Sequence, residues 1–480
     1  MKTAGIIAEY NPLHNGHQFH IEETRRRTGA DYIIAVVSGD FVQRGAPALL
    51  DKYVRAEMTL RHGADLVIEL PVTAALSSAE GFAQGGVSLL DRLGVVDVIS
   101  CGCENASANT ALFQEIVQLL ADEPEEYRTL LRAHTKAGAA FPRARELAVT
   151  EYLQAAHPDL SETTNITDEG SYSVAVLMAQ SGLKNNISRL LSSPNNILAI
   201  EYAKAIHTLA NSMELCLIPR KGGSYHSEAL SENFSSATAI RRCLLEACDN
   251  HFKEKGSQCT AKEAIFYQNS YHADHTEPVT HAPDTLSEQL NQLHSQVPPA
   301  VYDILRQAAA QRQCLSENNF SGLLFYSLIQ RADNLDDYCP AGSDLSCRIR
   351  NSMEAFTDWQ EFALLIKSRN RTYTAVSRCL AHILLDLKED DFSISAEYGH
   401  APYARVLGFR RDAAPLLKAI QAQADIPLLM HPAKDLSRVD EKQARLFKKN
   451  VQVSEIYKHI LYQQSGLRLK SEFRQPLIIL

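Results

Sequence analysis

The chain has 480 residues, of which 45% are hydrophobic and 22% are charged, and its formal net charge is −9. This length is too great for one ordinary hydrophobic core, so we expect two or three domains. The negative net charge excludes a protein that coats nucleic acid through bulk charge, and it leaves room for a local basic patch.

Composition also bears on location and redox state. No signal-peptide pattern opens the chain and no run of about 18 apolar residues occurs, so we expect a cytoplasmic protein without a membrane segment. The ten cysteines include no C-x-x-C pair. Their scatter argues against a zinc ribbon or a disulfide framework and predicts reduced, mostly buried thiols.

Short apolar runs alternate with helical spacing over the first 120 residues. The runs predicted as strands are residues 4–9, 31–39, 65–71 and 95–102, and helical spacing occupies 17–28, 51–62 and 79–93. Near-continuous β-branched runs are typical of strands buried on both faces of a parallel sheet. Right-handed crossovers then give a doubly wound, Rossmann-like α/β sheet. A capped helix over 193–207 and a fifth strand over 213–219 follow, and there the sheet pattern ends.

The rest of the chain has a different pattern. Residues 249–300 are polar and proline-rich, and they are interpreted as a linker or insertion. The "HADH" motif (272–275) in this segment is more typical of an exposed loop than of a pair of metal ligands. Residues 301–480 are mainly helical, with a mixed segment from 401. The predicted organisation is therefore an α/β domain over 1–248 followed by a mainly α-helical C-terminal domain over 301–480.

The first strand ends in "EYNPLHNGH", an unusual exit for a buried strand. Ligands of open α/β sheets bind at the carboxyl ends of strands, where the strand order reverses. His17 opens a helix whose free N–H groups favour an anion, and His14 lies three residues before it. Imidazole donates hydrogen bonds to phosphate. The alternative for each histidine is a satisfied core residue, but the pair at this junction favours a functional site.

Two motifs carry a resemblance to a known superfamily. "GIIAEYNPLHNGH" resembles the H-x-G-H signature of nucleotidyltransferases, which attack the α-phosphate of ATP and release pyrophosphate. The segment "SSATAIRR" is similar to a second superfamily element, a turn that opens a late helix. It places Ser235, Ser236, Thr238 and Arg241, with Ala237 inserted relative to the usual pattern.

Longer segments narrow the resemblance to one family. "SGDFVQRGAPALLDK" (38–52), "GADLVIELP" (63–71), "SPNNILAIEY" (193–202) and "KSRNRTYTAVSRCLAHILL" (367–385) resemble the bacterial tRNA(Met) cytidine acetate ligase family. Such a ligase activates acetate with ATP as acetyl-adenylate and transfers the acetyl group to N4 of the wobble cytidine of elongator tRNA(Met). The resemblance therefore implies ATP, acetate and tRNA(Met) as substrates and partners, with no obligatory protein partner evident.

The resemblance also implies the residues of an ATP pocket, with His14 and His17 as the catalytic pair. The implied ATP-binding residues are Ile7, Ala8, Glu9, Tyr10, Asn11, Pro12, Leu13, His14, Asn15, Gly16, His17, Gln18, Phe19, His20, Gly102, Asn195, Arg220, Ser236, Thr238 and Arg241. Arg220 and Arg241 suit a bidentate grip on phosphates. Gly102 could instead be a turn glycine, and Asn195 a helix cap. Mg²⁺ is expected to bridge the phosphates, with no metal ligand from protein side chains.

Evidence for RNA contacts is thinner. Lys367, Arg369, Arg371 and Arg378 form a basic run with Tyr373 and no acid, which can follow phosphates while the aromatic ring stacks on a base. A solvated helix face is the alternative. Arg44, in the loop after the second strand, is a further candidate for contact with tRNA. Glu9 and Glu69 are interpreted as buried strand residues, each paired with a cation.

Two other functions remain open from the sequence. One is a small-molecule adenylyltransferase of cofactor metabolism, although such enzymes usually lack a long helical half. The other is a non-catalytic RNA-binding protein with a vestigial nucleotide fold, against which the intact His14, His17, Arg220 and Arg241 count.

Overall fold

The computed structural model describes residues 1–104, 111–156, 182–209, 213–220, 235–255, 285–338 and 343–480. The strands are β1 (Thr3–Ala8), β2 (Tyr32–Ser38), β3 (Phe41–Val42), β4 (Ala46–Pro47), β5 (Leu66–Leu70), β6 (Val98–Cys103), β7 (Glu214–Pro219), β8 (Ala404–Phe409), β9 (Leu428–Leu429) and β10 (Ile478–Ile479). The 3₁₀ segments are Asn291–Leu293, Glu317–Phe320, Ala332–Asp337, Met353–Ala355, Arg411–Ala413 and Leu436–Arg438.

The α-helices flank the sheet and fill the C-terminal half. In the first half they are Asn15–Thr28, Lys52–Arg61, Val72–Ala75, Ala79–Arg92, Ala111–Asp122, Glu125–Lys136, Phe141–Ala156, Leu183–Ser192, Pro194–Leu209 and Ala237–Lys255. In the second half they are Thr285–Leu290, Pro299–Ala310, Ser321–Gln330, Ser343–Ser352, Trp359–Ile366, Tyr373–Leu385, Glu389–Glu397, Ala414–Gln423, Pro432–Asp435 and Glu441–Ser465.

The main sheet confirms the doubly wound α/β prediction. Its strand order is β10-β8-β5-β2-β1-β6-β7, with β9 beside β8. Strand β1 lies between β2 and β6 and is parallel to both. The chain builds one side of the sheet through β2 and β5 and then crosses to β6 and β7 on the other. The strand order therefore reverses at β1, and the carboxyl end of β1 is the expected ligand site.

Both faces of the central strands are buried, as their composition predicts. Successive side chains of a strand point to opposite faces. Ile7 and Val36 accordingly belong to the hydrophobic core on one face, whereas Ile6 and Val37 belong to the core on the other. This two-sided burial fixes the register of β1 and places Glu9 and Tyr10 beyond the end of the strand, at the edge of the sheet.

The sheet does not end after β7, and that expectation was wrong. Strand β8 pairs antiparallel with β5, and β10 pairs with β8. The run "YARVLGF" is short and stands alone among helices, so its pairing with a strand more than 330 residues earlier leaves no local pattern. The C-terminal half thus contributes to the sheet itself, while the division at 248 and 301 stays a prediction.

Part of the segment interpreted as a linker is folded. Residues 256–284, including the "HADH" motif, lie outside the described residues. Residues 285–300, in contrast, place Leu286, Leu290 and Leu293 in the same hydrophobic core as Ile6.

In the described parts of the chain, no helix is long and apolar enough to cross a membrane. Cys379 is disulfide-bonded, which differs from the reduced thiols expected throughout.

Candidate active site

A pocket opens at the carboxyl ends of β1, β6 and β7, where the topology predicts it. It is lined by Ile7, Ala8, Glu9, Tyr10, Asn11, His14, Gly16, His17, Phe19, His20, Gln43, Arg44, Phe82, Cys101, Gly102, Asn195, Leu198, Tyr202, Ile218, Pro219, Arg220, Ser235, Ser236, Ala237, Thr238 and Arg241. Pro12, Leu13, Asn15 and Gln18 belong to the predicted stretch but do not line the pocket. The two sequence motifs, more than 200 residues apart, therefore meet at one site.

His14 and His17 begin the first helix and face each other. Their rings stack with centroids 3.7 Å apart. His14 is the N-cap, and its Nδ1 accepts the backbone N–H of Gly16 at 3.1 Å, while the Nδ1 of His17 accepts the backbone N–H of His14 at 3.3 Å. A Cβ added to Gly16 would lie 2.9 Å from His14 Cε1. The glycine thus leaves room for the capping ring.

These contacts set the protonation state of both rings. Because each Nδ1 accepts a backbone N–H, the proton of the neutral imidazole lies on Nε2. Burial, with Arg220 and Arg241 adding to it, lowers the pKa of His14 to about 3. Burial and the neighbouring His14 lower the pKa of His17 well below its usual value. Both histidines are therefore neutral Nε2–H donors at neutral pH.

The second motif, residues 235–242, is hydrogen-bonded to the segment that follows β1. Arg241 donates from Nη1 to the carbonyl oxygen of Asn11 at 2.7 Å and from Nη2 to Thr238 Oγ1 at 3.1 Å. Ser236 Oγ accepts the backbone N–H of Ala239 at 3.1 Å at the start of the late helix. Asn11 in turn accepts the backbone N–H of Leu49 at 2.8 Å. The inserted Ala237 therefore does not prevent Thr238 and Arg241 from reaching the site.

A residue that the sequence did not single out lies beside the lining residues Asn195 and Arg220. Glu104 Oε1 accepts a hydrogen bond from Asn195 Nδ2 at 3.1 Å and lies 3.8 Å from Arg220 Nη1. Because Nδ2 of Asn195 points to Glu104, its Oδ1 remains an acceptor for a ligand N–H or O–H. Only the position after β6 could have indicated Glu104.

An apolar lining completes the pocket and was also missed. It consists of Phe82, Cys101, Leu198, Tyr202, Ile218 and Pro219. Ligand pockets combine such surfaces with a few placed polar groups, and a flat nucleobase matches this combination. In the sequence these residues are indistinguishable from ordinary core positions of strands and helices.

A buried arginine organises the strand ends beneath the site. Arg55 is fully buried and donates to the carbonyl oxygens of Leu50 at 3.0 Å, Glu9 at 2.7 Å and Ser38 at 3.0 Å, and also to that of Gly39. These carbonyls lie after β1 (Glu9), at and after the end of β2 (Ser38 and Gly39) and after β4 (Leu50). Arg55 therefore fixes the shape of the pocket floor without facing the ligand, and no local motif indicates it.

The two predicted buried glutamates differ. Glu69 is paired with a cation as expected, since Lys52 Nζ lies 2.9 Å from Glu69 Oε1. Lys52 Nζ also lies 3.0 Å from Glu472 Oε2, so this buried network joins the first strands to the C-terminal segment. Glu9 lies beyond the end of β1 and is half-buried, so the expectation of a buried strand residue was wrong, and it accepts the backbone N–H of Gln43 at 3.0 Å. Its oxygen therefore supports a neighbouring loop.

The predicted RNA-binding residues are spread over three environments. Lys367 and Arg369 are exposed, and Arg371 is half-buried, in the turn that precedes the helix Tyr373–Leu385. Arg378 donates to the carbonyl oxygen of Gln43 at 3.2 Å. Arg44 lines the pocket at the end of β1 itself. The basic run and the pocket are thus connected through the loop that contains Gln43 and Arg44.

The sequence of this chain matches a known protein family and curated relatives over almost its full length. The HIGH Nucleotidyl Transferase family model matches residues 1–472. A tRNA(Met) cytidine acetate ligase of Halothermothrix orenii is 33% identical over all of this chain and 99% of that protein. One from a Thermoanaerobacter species is 32% identical, with both chains covered completely.

Solved structures give the same result. The apo crystal structure of Thermotoga maritima TmcAL superposes with a TM-score of 0.80 at 25% identity, with both chains fully covered. The structure of that protein bound with alpha-thio ATP gives 0.78. On these similarities the chain belongs to the tRNA(Met) cytidine acetate ligase family of the HIGH nucleotidyltransferases.

Proposed function

We propose that this protein uses ATP to activate acetate as acetyl-adenylate and transfers the acetyl group to N4 of the wobble cytidine of elongator tRNA(Met). The observation that carries the proposal is the meeting of the H-x-G-H pair with Arg220 and Arg241 in one pocket. Relatives that match the entire chain are named for this activity, and a related structure contains an ATP analogue in the same fold.

In the first step an acetate oxygen attacks the α-phosphorus of ATP and the bond to pyrophosphate breaks. Negative charge grows on the phosphate oxygens as this happens. The Nε2–H groups of His14 and His17 donate to those oxygens without needing a second proton. Arg220, Arg241 and the N-terminus of the first helix bind the phosphates.

Magnesium enters this scheme with the nucleotide. Mg²⁺ keeps several waters and binds ATP through phosphate oxygens, so it needs few protein ligands. The nearby carboxylates fit this role only indirectly, because Glu9 in the pocket lining accepts Gln43 N–H and Glu104 beside that lining accepts Asn195 Nδ2. Among the described residues, no group of three or more His, Cys, Asp or Glu side chains could hold a metal ion.

In the second step the cytidine N4 attacks the acetyl carbonyl carbon, the bond to AMP breaks, and N4 loses a proton. The mixed anhydride is already activated, so the protein contributes chiefly positioning and exclusion of water. We assign contact with the RNA backbone to Lys367, Arg369 and Arg371, with Tyr373 near them at the helix start. A tRNA substrate also supports a cytoplasmic location.

An adenylyltransferase of cofactor metabolism is the less favoured candidate. It would need the same phosphate groups but no helical half. The match to relatives extends over the complete chain, including that half. The pocket alone therefore suits either reaction, and the C-terminal half favours the tRNA ligase.

The proposal is tested on the product. Purified protein is incubated with ATP, labelled acetate and an elongator tRNA(Met) transcript, and the tRNA is digested to nucleosides. A transcript with uridine at the wobble position is the matched control. We expect label in N4-acetylcytidine with the first transcript only. Label in another nucleoside, or none in either transcript, would contradict the proposed function.

A further inference from the structure

One wall of the nucleotide pocket belongs to a small hairpin. Strands β3 and β4 pair outside the main sheet, and their turn consists of residues 43–45. Gln43 and Arg44 line the pocket from this turn. The backbone N–H of Gln43 donates to Glu9, which follows β1. The hairpin (residues 41–47) is therefore part of the site and not a surface decoration.

The outer side of the hairpin rests on the helix Tyr373–Leu385. Ser377 Oγ donates to the carbonyl oxygen of Gly45 at 2.9 Å, and Trp359 Nε1 donates to Ser377 Oγ at 3.1 Å. Trp359 and Ser377 are fully buried. The Ser377 hydroxyl thus links Trp359 in the helical core to Gly45 at the tip of the hairpin through two hydrogen bonds.

Contact between hairpin and helix is close enough to involve the backbones. Gly45 has a φ of +77°, and a Cβ there would lie 2.5 Å from the carbonyl carbon of Ser377. Arg378 adds a charge-assisted hydrogen bond to the carbonyl oxygen of Gln43 at 3.2 Å. The tip therefore cannot move without displacing the first turns of the helix.

The same helix begins directly after the basic run. Lys367 and Arg369 are exposed in the turn before it, and Thr372 caps its first turn through Ala375 N–H at 3.2 Å. An RNA phosphate bound at that turn acts on the end of a rigid element whose next two turns hold the hairpin. The basic run is thus connected to the pocket through the helix Tyr373–Leu385 and through the hairpin tip that is hydrogen-bonded to this helix.

We propose that Arg378 is a positioning residue, which holds Gln43 and Arg44 in the pocket wall and couples tRNA binding to ATP binding. This inference rests on the proposed function for the identity of the RNA. Coupling between two sites is reciprocal, so tRNA should change ATP affinity by the same factor by which ATP changes tRNA affinity. Typical coupling factors are about 5 or more.

The test compares Arg378→Met with Arg378→Lys, Ser377→Ala and the matched control Arg61→Met. Arg61 is an exposed helical arginine paired with Glu57, away from the pocket. For each protein we measure the Kd of α,β-methylene ATP with and without elongator tRNA(Met), and the Kd of the tRNA. Thermal unfolding of each variant verifies the fold, and Ser377→Ala provides a second route if Arg378→Met is unstable.

For Arg378→Met we expect the Kd of the ATP analogue to rise about 10-fold, because nucleotide binding must then order the hairpin that this hydrogen bond holds in place. The Kd of the tRNA alone should change less than about twofold, and the coupling factor should approach 1. Arg378→Lys should recover part of the affinity for the ATP analogue and part of the coupling factor. Ser377→Ala should also raise the Kd of the ATP analogue.

Two results would overturn the inference. If Arg378→Met weakens tRNA binding and leaves the ATP analogue unchanged, Arg378 is an RNA contact. If Arg378→Met behaves like Arg61→Met, Arg378 has no role in either site. Failure of the proposed function is distinguishable, because a protein that makes no N4-acetylcytidine would still show the effect of Arg378 on binding of the ATP analogue.

Discussion

Replacing His14 by asparagine separates the two tasks of its ring. Nδ1 of His14 caps the first helix through Gly16 N–H, which leaves the Nε2–H of this pocket-lining ring as its remaining donor. Asparagine is among the best N-cap residues, so His14→Asn keeps an acceptor for that N–H. It removes the donor that reaches the phosphates. His14→Ala removes both functions and is the matched comparison.

The expected magnitudes follow from these contacts. Loss of a preorganised donor to a transition-state oxyanion lowers kcat by about 10²–10³-fold, or about 3–4 kcal/mol. We expect this loss in both variants. The free energy of unfolding should fall by about 1 kcal/mol more in His14→Ala than in His14→Asn, since only alanine abolishes the cap.

Two assays decide the outcome. Acetate-dependent exchange of labelled pyrophosphate into ATP measures kcat, and urea denaturation measures the free energy of unfolding. An active His14→Asn enzyme would refute the reasoning, because the ring would then serve only as a helix cap. Equal unfolding free energies for both variants would contradict the assigned cap.

Three further predictions concern stability and RNA affinity. Lys52→Met leaves Glu69 and Glu472 buried without their shared cation, so urea denaturation should show a loss of about 3–5 kcal/mol; a loss below about 1 kcal/mol would contradict the network. Burial lowers the pKa of His382 to about 4. The unfolded state then takes up the proton first as pH falls below about 6.5, and stability at pH 5 should be about 2 kcal/mol lower than at pH 7 through this residue. In His382→Gln the loss of stability between pH 7 and pH 5 should be smaller by about 2 kcal/mol than in the parent protein, and an unchanged loss would refute the assignment. Arg369→Ala should reduce the slope of log K against log salt for tRNA by about 1, and an unchanged slope would exclude a phosphate contact.

Local pattern was sufficient for the parts of the site that lie within short segments. The stretch 7–20 and the turn at 235–241 carry their distinctive residues close together in the sequence, and both contribute to the pocket beside the end of β1. The five predicted strands are also confirmed, because each is a short apolar run and the central ones, buried on both faces, have a distinctive composition.

Features that depend on distant parts of the chain could not be predicted. Strand β8 pairs with β5 across more than 330 residues. Arg55 binds the carbonyl groups of Glu9, which follows β1, and of Ser38, which ends β2, and Glu104 accepts a hydrogen bond from Asn195, 91 residues later. Each of these residues looks ordinary in its own segment. Their roles arise only from the packing that brings the segments together.

Activation of acetate by ATP is the central claim, and the exchange assay without tRNA tests it most directly. The purified protein is incubated with ATP, Mg²⁺ and labelled pyrophosphate, with or without acetate. We predict that label enters ATP only when acetate is present, and that His17→Ala abolishes the exchange while keeping the fold. Exchange that does not depend on acetate, or none with any small carboxylate, would contradict the account.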